Sequence, residues 1–489
     1  MPEIKVNVLN ETGSFLRALL CSERFEQFFR AEKPDQETAY LTLSVPFENI
    51  DPLAVLELIG KASGSRFFWE RPDHELALAA GGRVAQLKST GIGRFDYISQ
   101  QSSALFKRAK TFSDINHSMA GAHLVGGFSF FDHPPEGSWR SLGNTAFVLP
   151  EWLLIRDGQF SILNITRTWA PSDTTETLRQ WYIDWYNNFV TKLQMHLERS
   201  RILKDPEYSG REIVITETAT DLPTWTKRVE QAIKAIKENK FRKIVLAREL
   251  RIPIKKKISA TKLIHSLRRE YPSCYSFLFQ LNAEAAFLGS TPEKLLSLQS
   301  PYIKTEALAG SISRGKTATR DAINEKKLLE STKDLEEHDY VLQVLREKLS
   351  SITESLVHPP GPVIKKYANV QHLCTPVAAT LSSSHNAIDI LGRLHPTPAV
   401  GGFPQHEAVQ YIQPMEQIER GWYAGPFGWF NSNRRAEFSV AIRSGLVSRS
   451  HVRFFAGAGI VENSDPLTEW EETRLKFIPM QRGLEYANE

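Results

Sequence analysis

Sulfur is scarce in this chain: three cysteines among 489 residues, Cys21, Cys274 and Cys374, and five methionines. Thiols so widely spaced make neither a disulfide framework nor a zinc site, and they fit a reducing compartment. Long apolar runs are missing as well, and none approaches the ~20 residues of a membrane span. Met1-Pro2-Glu3-Ile4-Lys5 carries no apolar signal core and no Arg/Ser-rich transit character, so a cytoplasmic protein free of membrane is expected. Nor is there an excess of one charge. The formal net charge of +4 gives no reason to expect a nucleic-acid partner. Repeats and low-complexity tracts are absent.

What remains is a soluble globular composition, 41% hydrophobic and 24% charged, enough for a large core. The first part reads as strands punctuated by turns: Thr38 to Phe47, Arg66 to Glu70, Glu75 to Ala80, and a hairpin from Trp152 to Ile162 closed by Asp157-Gly158. A helix is expected from Glu176 to Arg199, with Leu178, Trp181, Trp185, Leu193 and Leu197 as a core-packing stripe. The polar stretch Ser200 to Asp221 separates residues 1–205 from residues 222–489, two halves expected to form one structural unit. Beyond it come a helix over Thr224 to Asn239, a strand from Lys243, a helix over Ser259 to Glu270, and one long helical stretch from Thr319 to Ser350. Strands follow at Tyr423 to Phe430, Glu437 to Val447 and Val452 to Val461. The pattern fits a large α+β fold rich in antiparallel sheet.

Chemistry concentrates in the second half. Near the end, Gly457-Ala458-Gly459 reads as a small-residue turn where backbone can approach a ligand, leading to a helix with Asp465 as N-cap and Pro466 first. On that helix Glu469, Glu472 and Lys476 share one face, and two adjacent carboxylates beside a side-chain-free turn suit a magnesium-bound anion. Lys243 opens a very apolar strand, where burial favours general-base work or where it is simply a strand-end lysine. Glu293 follows a turn in an apolar setting, either a carboxyl that stays protonated or an ordinary first-turn helix glutamate. Asp334 and Glu337 lie three apart on a charged helix. Gly310 to Thr317 satisfies the phosphate-loop pattern, but its feeder Lys304 to Ala309 is half polar and no parallel strand order surrounds it, so the match reads as accidental.

Taken together these stretches resemble the chorismate-utilising enzymes. The resemblance rests on Lys243 in K-x-V-L-A-R, Glu293 in S-T-P-E-K-L-L, Thr305 to Ser311, Asp334 and Glu337 in K-D-x-x-E-H, and Val370 to Leu373. It continues through Leu394 to Gly402, Gly421 to Pro426, Ala441-Ile442-Arg443 and the Gly457…Lys476 block. It is dense from Thr224 to Gly483 and looser before that. It implies two stacked antiparallel sheets flanked by helices, as in anthranilate synthase component I. Lys243, where ammonia-using anthranilate enzymes carry Gln, implies water as nucleophile; Ala399, where pyruvate-releasing members usually carry Thr, implies that pyruvate is retained. The pattern is thus most similar to the isochorismate synthases, of the quinone-pathway type by the length of the N-terminal half. The lyase members are the alternative, and an NTPase or a non-catalytic binding module the remote one.

The roles implied are a base (Lys243), an acid (Glu293), and Mg²⁺ held by Glu337 and Glu472 with Asp334 and Glu469 acting through waters. Arg443, Tyr423 and the Gly457 amide would hold the enolpyruvyl carboxylate of chorismate, with Lys476 near the metal and ring carboxylate. Gly310 and Ser311 would contact the ring, and His372 would orient substrate or simply pack. No glutamine amidotransferase partner is required by a water-using member.

Overall fold

Phe67, Phe68 and Trp69 share one short strand and point alternately to two different cores, which sets the layering. Phe67 and Trp69 enter an inter-sheet core with Phe277, Phe287 and Phe427, while Phe68 joins Leu278, Leu288 and the helices outside. The computed structural model describes residues 6–35, 37–60, 64–72, 75–202, 220–254, 256–367, 370–382 and 385–488. The boundary stretch expected at Ser200 to Asp221 lies mostly outside them.

Among the described residues there are two large sheets. The twelve-stranded one runs Gly402–Phe403, Lys243–Pro253, His451–Ile460, Ser444–Ser448, Ala285–Thr291, Tyr275–Gln280, Arg66–Glu70, Leu76–Gly81, Trp152–Asp157, Phe160–Trp169, Ala39–Pro46, Ala109–Ser113. The ten-stranded one runs Thr353–Val357, Val370–Leu381, Tyr302–Ser313, Lys294–Gln299, Arg435–Val440, Pro426–Asn431, His123–Phe128, Thr145–Leu149, Ala85–Lys88, with Val363–Lys366 paired to Val370–Leu381. Pairing is antiparallel except between Ala39–Pro46 and Ala109–Ser113, which are parallel. The α+β expectation holds. Both sheets draw on both halves of the chain: Arg66–Glu70 pairs with Tyr275–Gln280, and His123–Phe128 with Pro426–Asn431.

Helices Ala260–Glu270 and Pro466–Asn488 cover the outer face of the larger sheet, burying Leu263, Ile264, Leu267, Phe477 and Met480. The helix Thr175–Ile202 packs there too, and Leu178 and Leu193 are fully buried, so its stripe is core. The hairpin forms, but its two-residue loop is Gly158-Gln159, one residue later than expected, with Asp157 paired to Phe160 and Gly158 at φ 60°.

Three further expectations need correction. The long helical stretch is two helices, Ala318–Glu330 and Thr332–Ser350, divided at Ser331. Ser331 turns extended and its hydroxyl accepts from the Asp334 amide, so a cap competes with helix continuation and wins. Glu437 to Val447 is not one strand either. Arg435–Val440 belongs to the smaller sheet and Ser444–Ser448 to the larger, the chain crossing at Ala441-Ile442-Arg443. Finally, Gly457-Ala458-Gly459 is not a turn but the interior of His451–Ile460, paired through Ala247↔Gly457 and Val245↔Gly459. Half of the phosphate-loop match lies in sheet: Gly310 to Ser313 complete Tyr302–Ser313, and Lys316 is exposed beyond it.

Candidate active site

Two neighbouring strands change sheets at the same place. Ala285–Thr291 crosses to Lys294–Gln299 through Pro292-Glu293, and Arg435–Val440 crosses back through Ala441 to Arg443. The crossings are stitched together: the Val440 amide donates to the Glu293 carbonyl (3.1 Å), the Ser290 amide to the Arg443 carbonyl (3.1 Å), and the Thr291 hydroxyl to the Val440 carbonyl (2.7 Å). Arg443 adopts a left-handed φ of 49°, which a non-glycine residue holds only under constraint. Glu293 therefore sits in a strand-to-strand crossing, not in a helix's first turn.

Beside these crossings opens a cavity of ≈ 110 Å³. Of the fourteen residues singled out in the sequence, twelve line it: Lys243, Glu293, Gly310, Ser311, Glu337, His372, Ala399, Tyr423, Arg443, Gly457, Glu472 and Lys476. Asp334 and Glu469 do not. Asp334 stands behind Gly310, whose added Cβ would lie 3.0 Å from the Asp334 Cβ, and its carboxylate accepts from Ser331 Oγ. Glu469 is buried on the helix Pro466–Asn488, one turn from Glu472.

Lys243 is the first residue of its strand and only 2% exposed. Its Nζ donates to Glu337 Oε1 at 2.5 Å. The small residues of the facing strand make this possible: a Cβ on Gly459 would lie 3.0 Å from Lys243 Cε, and one on Gly457 3.1 Å from the Tyr423 hydroxyl. The glycines thus give clearance to side chains reaching in, where a turn presenting amides was expected.

Glu293 faces the same space. Burial pushes its carboxyl up to about 8 and the charge of Glu306 adds to this, against opposing pulls from Lys243, the Thr397 hydroxyl and Lys365. Near neutral pH it carries a proton. Thr397, buried and without another partner for its hydroxyl among the described residues, was not singled out in the sequence, though it lies in the H-P-T-P-A run.

Opposite lies a carboxylate cluster with its counter-charge. Burial raises Glu472, but Lys476, donating to it at 2.5 Å, more than offsets this and holds the carboxylate low. Glu469 goes the other way, pushed up to about 7 by burial and by the Glu472 charge. Lys476 also donates to the Gly457 carbonyl at 2.8 Å. Among the described residues no group of three or more His, Cys, Asp or Glu side chains closes on a common metal-binding point. The donors themselves fit Mg²⁺: all are hard oxygens, two face the cavity, and the Glu469–Glu472 repulsion is of the kind a cation relieves.

The remaining wall is cationic and neutral-polar. Arg443 pairs with no carboxylate among the described residues, and burial lowers its pKa, so an anionic ligand is the partner it lacks. Tyr423, stacked on Phe455 at 5.3 Å, stays a neutral phenol because burial pushes it up to about 12. His372 Nδ1 lies 2.8 Å from the Ser311 hydroxyl and 3.2 Å from the Gly310 carbonyl. Burial, with Arg443 and Lys476 nearby, takes its ring down to about 3, and its Nε2 has no partner among the described residues. Gly310 itself, at φ 74°, forms the irregularity between Ala309 and Ser311 that turns Ser311 toward His372. Behind this wall Arg420, fully buried with Glu416, donates to the Val245 and Val400 carbonyls and ties the Lys243 strand to the Ala399 loop. Nothing local in the sequence marks that tie.

Residues 25–485 match the chorismate binding enzyme family. The chain belongs to that family. Its relatives include the isochorismate synthase MenF of Bacillus subtilis, 33% identical over 451 residues (91% of this chain, 93% of the relative). Another is the salicylate biosynthesis isochorismate synthase of Pseudomonas aeruginosa, 31% identical over 439 residues (89% and 88%). In three dimensions it superposes on the menaquinone-specific isochorismate synthase MenF from Escherichia coli with a TM-score of 0.76 at 24% identity, covering 98% of this chain and 100% of that one. Anthranilate synthase component I from Streptococcus pneumoniae follows at 0.65, 20% identity, and 83% and 92% coverage. Those two likenesses establish the two-sheet chorismate-binding fold. Among the described residues no helix is long and apolar enough to cross a membrane.

Proposed function

We propose that this chorismate-binding enzyme is an isochorismate synthase, an isomerase that interconverts chorismate and isochorismate. The observation that carries the reading is a buried lysine and a buried, protonated carboxyl lining one cavity whose other wall offers an unpaired guanidinium. Lys243, reacting as the neutral amine, takes a proton from water as it adds to ring C2. Glu293 gives its proton to the departing C4 hydroxyl, and the ring double bonds shift. One water enters and one leaves, so composition is unchanged, the equilibrium constant lies near unity, and the reaction runs both ways.

Arg443, Tyr423 and Gly457 take the enolpyruvyl carboxylate, Gly310 and Ser311 pack on the ring, and neutral His372 orients it through Nε2. Glu337 and Glu472 would hold Mg²⁺, with Asp334 and Glu469 acting through waters. When bound, the metal supplies positive charge for the ring carboxylate. Because the nucleophile is water, no ammonia-delivering subunit is needed. The route served is read as menaquinone synthesis, the specificity of the E. coli enzyme of like fold. The P. aeruginosa relative marks salicylate synthesis as the other route, and rescue of a menaquinone auxotroph separates them.

Product analysis with chorismate and Mg²⁺ tests the activity. NMR should show isochorismate approaching a plateau with chorismate, without pyruvate in a lactate dehydrogenase coupling, and with loss of product in Lys243→Ala. Stoichiometric pyruvate would make the enzyme a lyase and the Ala399 reading wrong.

A further inference from the structure

Behind Glu293, and outside the cavity lining, lies a second layer of polar side chains that the reaction as written does not use. Glu306, on Tyr302–Ser313, has a side chain only 7% exposed and is bound by Lys365 Nζ through both oxygens, at 2.7 and 2.9 Å. Lys365 belongs to the short strand Val363–Lys366, which among the described residues pairs only with Val370–Leu381. Its ammonium also rests over the Tyr367 ring at 5.6 Å. Tyr367 is fixed at several points. Its hydroxyl donates to the Pro292 carbonyl at 2.8 Å, immediately before Glu293, its carbonyl accepts from Arg314 at 2.8 Å, and its ring meets His372 edge-on at 5.7 Å.

We propose that Glu306, metered by Lys365 and coupled through Tyr367, is a positioning residue that keeps the Glu293 carboxyl protonated and aimed for proton donation. Lone burial would favour a neutral Glu293, but Lys243 opposes it from within the cavity whenever its amine is protonated, since a cation there pulls a neighbouring acid toward ionisation. Glu306 restores the balance from behind. Lys365, at the partly exposed edge, keeps Glu306 from being an unpaired buried charge. The charged and titratable groups facing Glu293 are Lys243, Glu306 and Lys365 from three strands, with the phenols Tyr367 and Tyr423. Cys374, 3.8 Å from Glu306, is pushed by burial up to about 12 and stays neutral.

The inference rests on Glu293 as the general acid, so the test has an arm that needs no turnover. The pH dependence of kcat is measured for the wild type, Glu306→Gln, Lys365→Met and Lys365→Arg. In parallel, the Glu293 carboxyl band is titrated in substrate-free protein by infrared difference against Glu293→Gln. Glu306→Gln should move both the alkaline limb and the carboxyl titration to lower pH, on the order of one pH unit. Lys365→Met should move both upward, and Lys365→Arg should restore them. Coincident curves in all variants, with kcat lowered evenly across pH, would overturn the inference and leave Glu306 a packing residue. An inactive wild type with the carboxyl shifts intact would refute the isomerase reading and keep the electrostatic one. If Glu306→Gln does not fold, the Lys365 pair, at the sheet edge, decides alone.

Discussion

The two halves of the chain are buried alike and work differently. Strands such as Arg66–Glu70, Leu76–Gly81 and His123–Phe128 are nearly as deep as any in the molecule, yet every side chain lining the cavity comes from between Lys243 and Lys476. In the N-terminal half burial is largely apolar, as with Trp69 against Tyr275 and Phe427, and the buried Glu70 carboxylate is met by Arg156 and Arg268. In the C-terminal half burial falls on Lys243, Glu293 and Glu469, groups that are costly to bury unless a partner or ligand is supplied, and beside them Arg443 pairs with no carboxylate among the described residues. Depth alone says nothing about function. Depth combined with a titratable group lacking its counter-charge does.

The sharpest way to separate the halves is at the acid and base. Lys243→Ala and Glu293→Gln should each cut turnover by about 10²–10⁴-fold with circular dichroism unchanged, as expected when a positioned proton donor or acceptor is lost. Trp69→Ala, from the other half, should do the reverse. It should cost about 3–5 kcal/mol in denaturant unfolding while the folded fraction keeps its KM. An equal loss of kcat in both would erase the distinction.

A subtler contrast lies in pH. The folded Glu293 titrates at about 8 against an ordinary 4.5. Its contribution to stability is intact below the lower value and lost as pH rises through the upper one. Glu293→Gln should therefore melt a few degrees above wild type near pH 9 and close to it near pH 5, while wild-type kcat falls above about pH 8. A constant difference across that range would mean the carboxyl ionises normally. The smallest effect is expected at Ser331→Ala, which removes the cap of Thr332–Ser350 and should cost ~1 kcal/mol. Hydrogen exchange at the start of that helix would report it, with little change in turnover.

Ser331 also shows what was legible. Its S-x-x-D spacing ahead of Asp334 is a visible helix start, but a continuous run of helix formers on both sides hid the break. Asp465-Pro466 was readable, and the Asp157-Gly158 hairpin to within one residue, because cap and turn chemistry is local. The crossing at Ala441-Ile442-Arg443 was not: its residues are as strand-like as their neighbours, and only the position of the second sheet decides where the chain changes layer. The glycines at 457 and 459 were right as a place of close approach and wrong as a turn, since the clearance they give is set by Lys243 and Tyr423, distant in sequence. Twelve site residues could be named because their motifs resemble a known family. The Glu306–Lys365 pair, 59 residues apart on two strands, follows from no motif and shows only in the fold.

The interleaving of the sheets has an evolutionary corollary. Because Arg66–Glu70 is bonded to Tyr275–Gln280, and His123–Phe128 to Pro426–Asn431, no single cut in the polypeptide yields two pieces with closed sheets. Either fragment would bare sticky borders along its own length. Such a gene cannot be shuffled by swapping one half for another, as tandem modules can. New chemistries on this scaffold have to arise by point changes around a cavity whose frame is inherited whole.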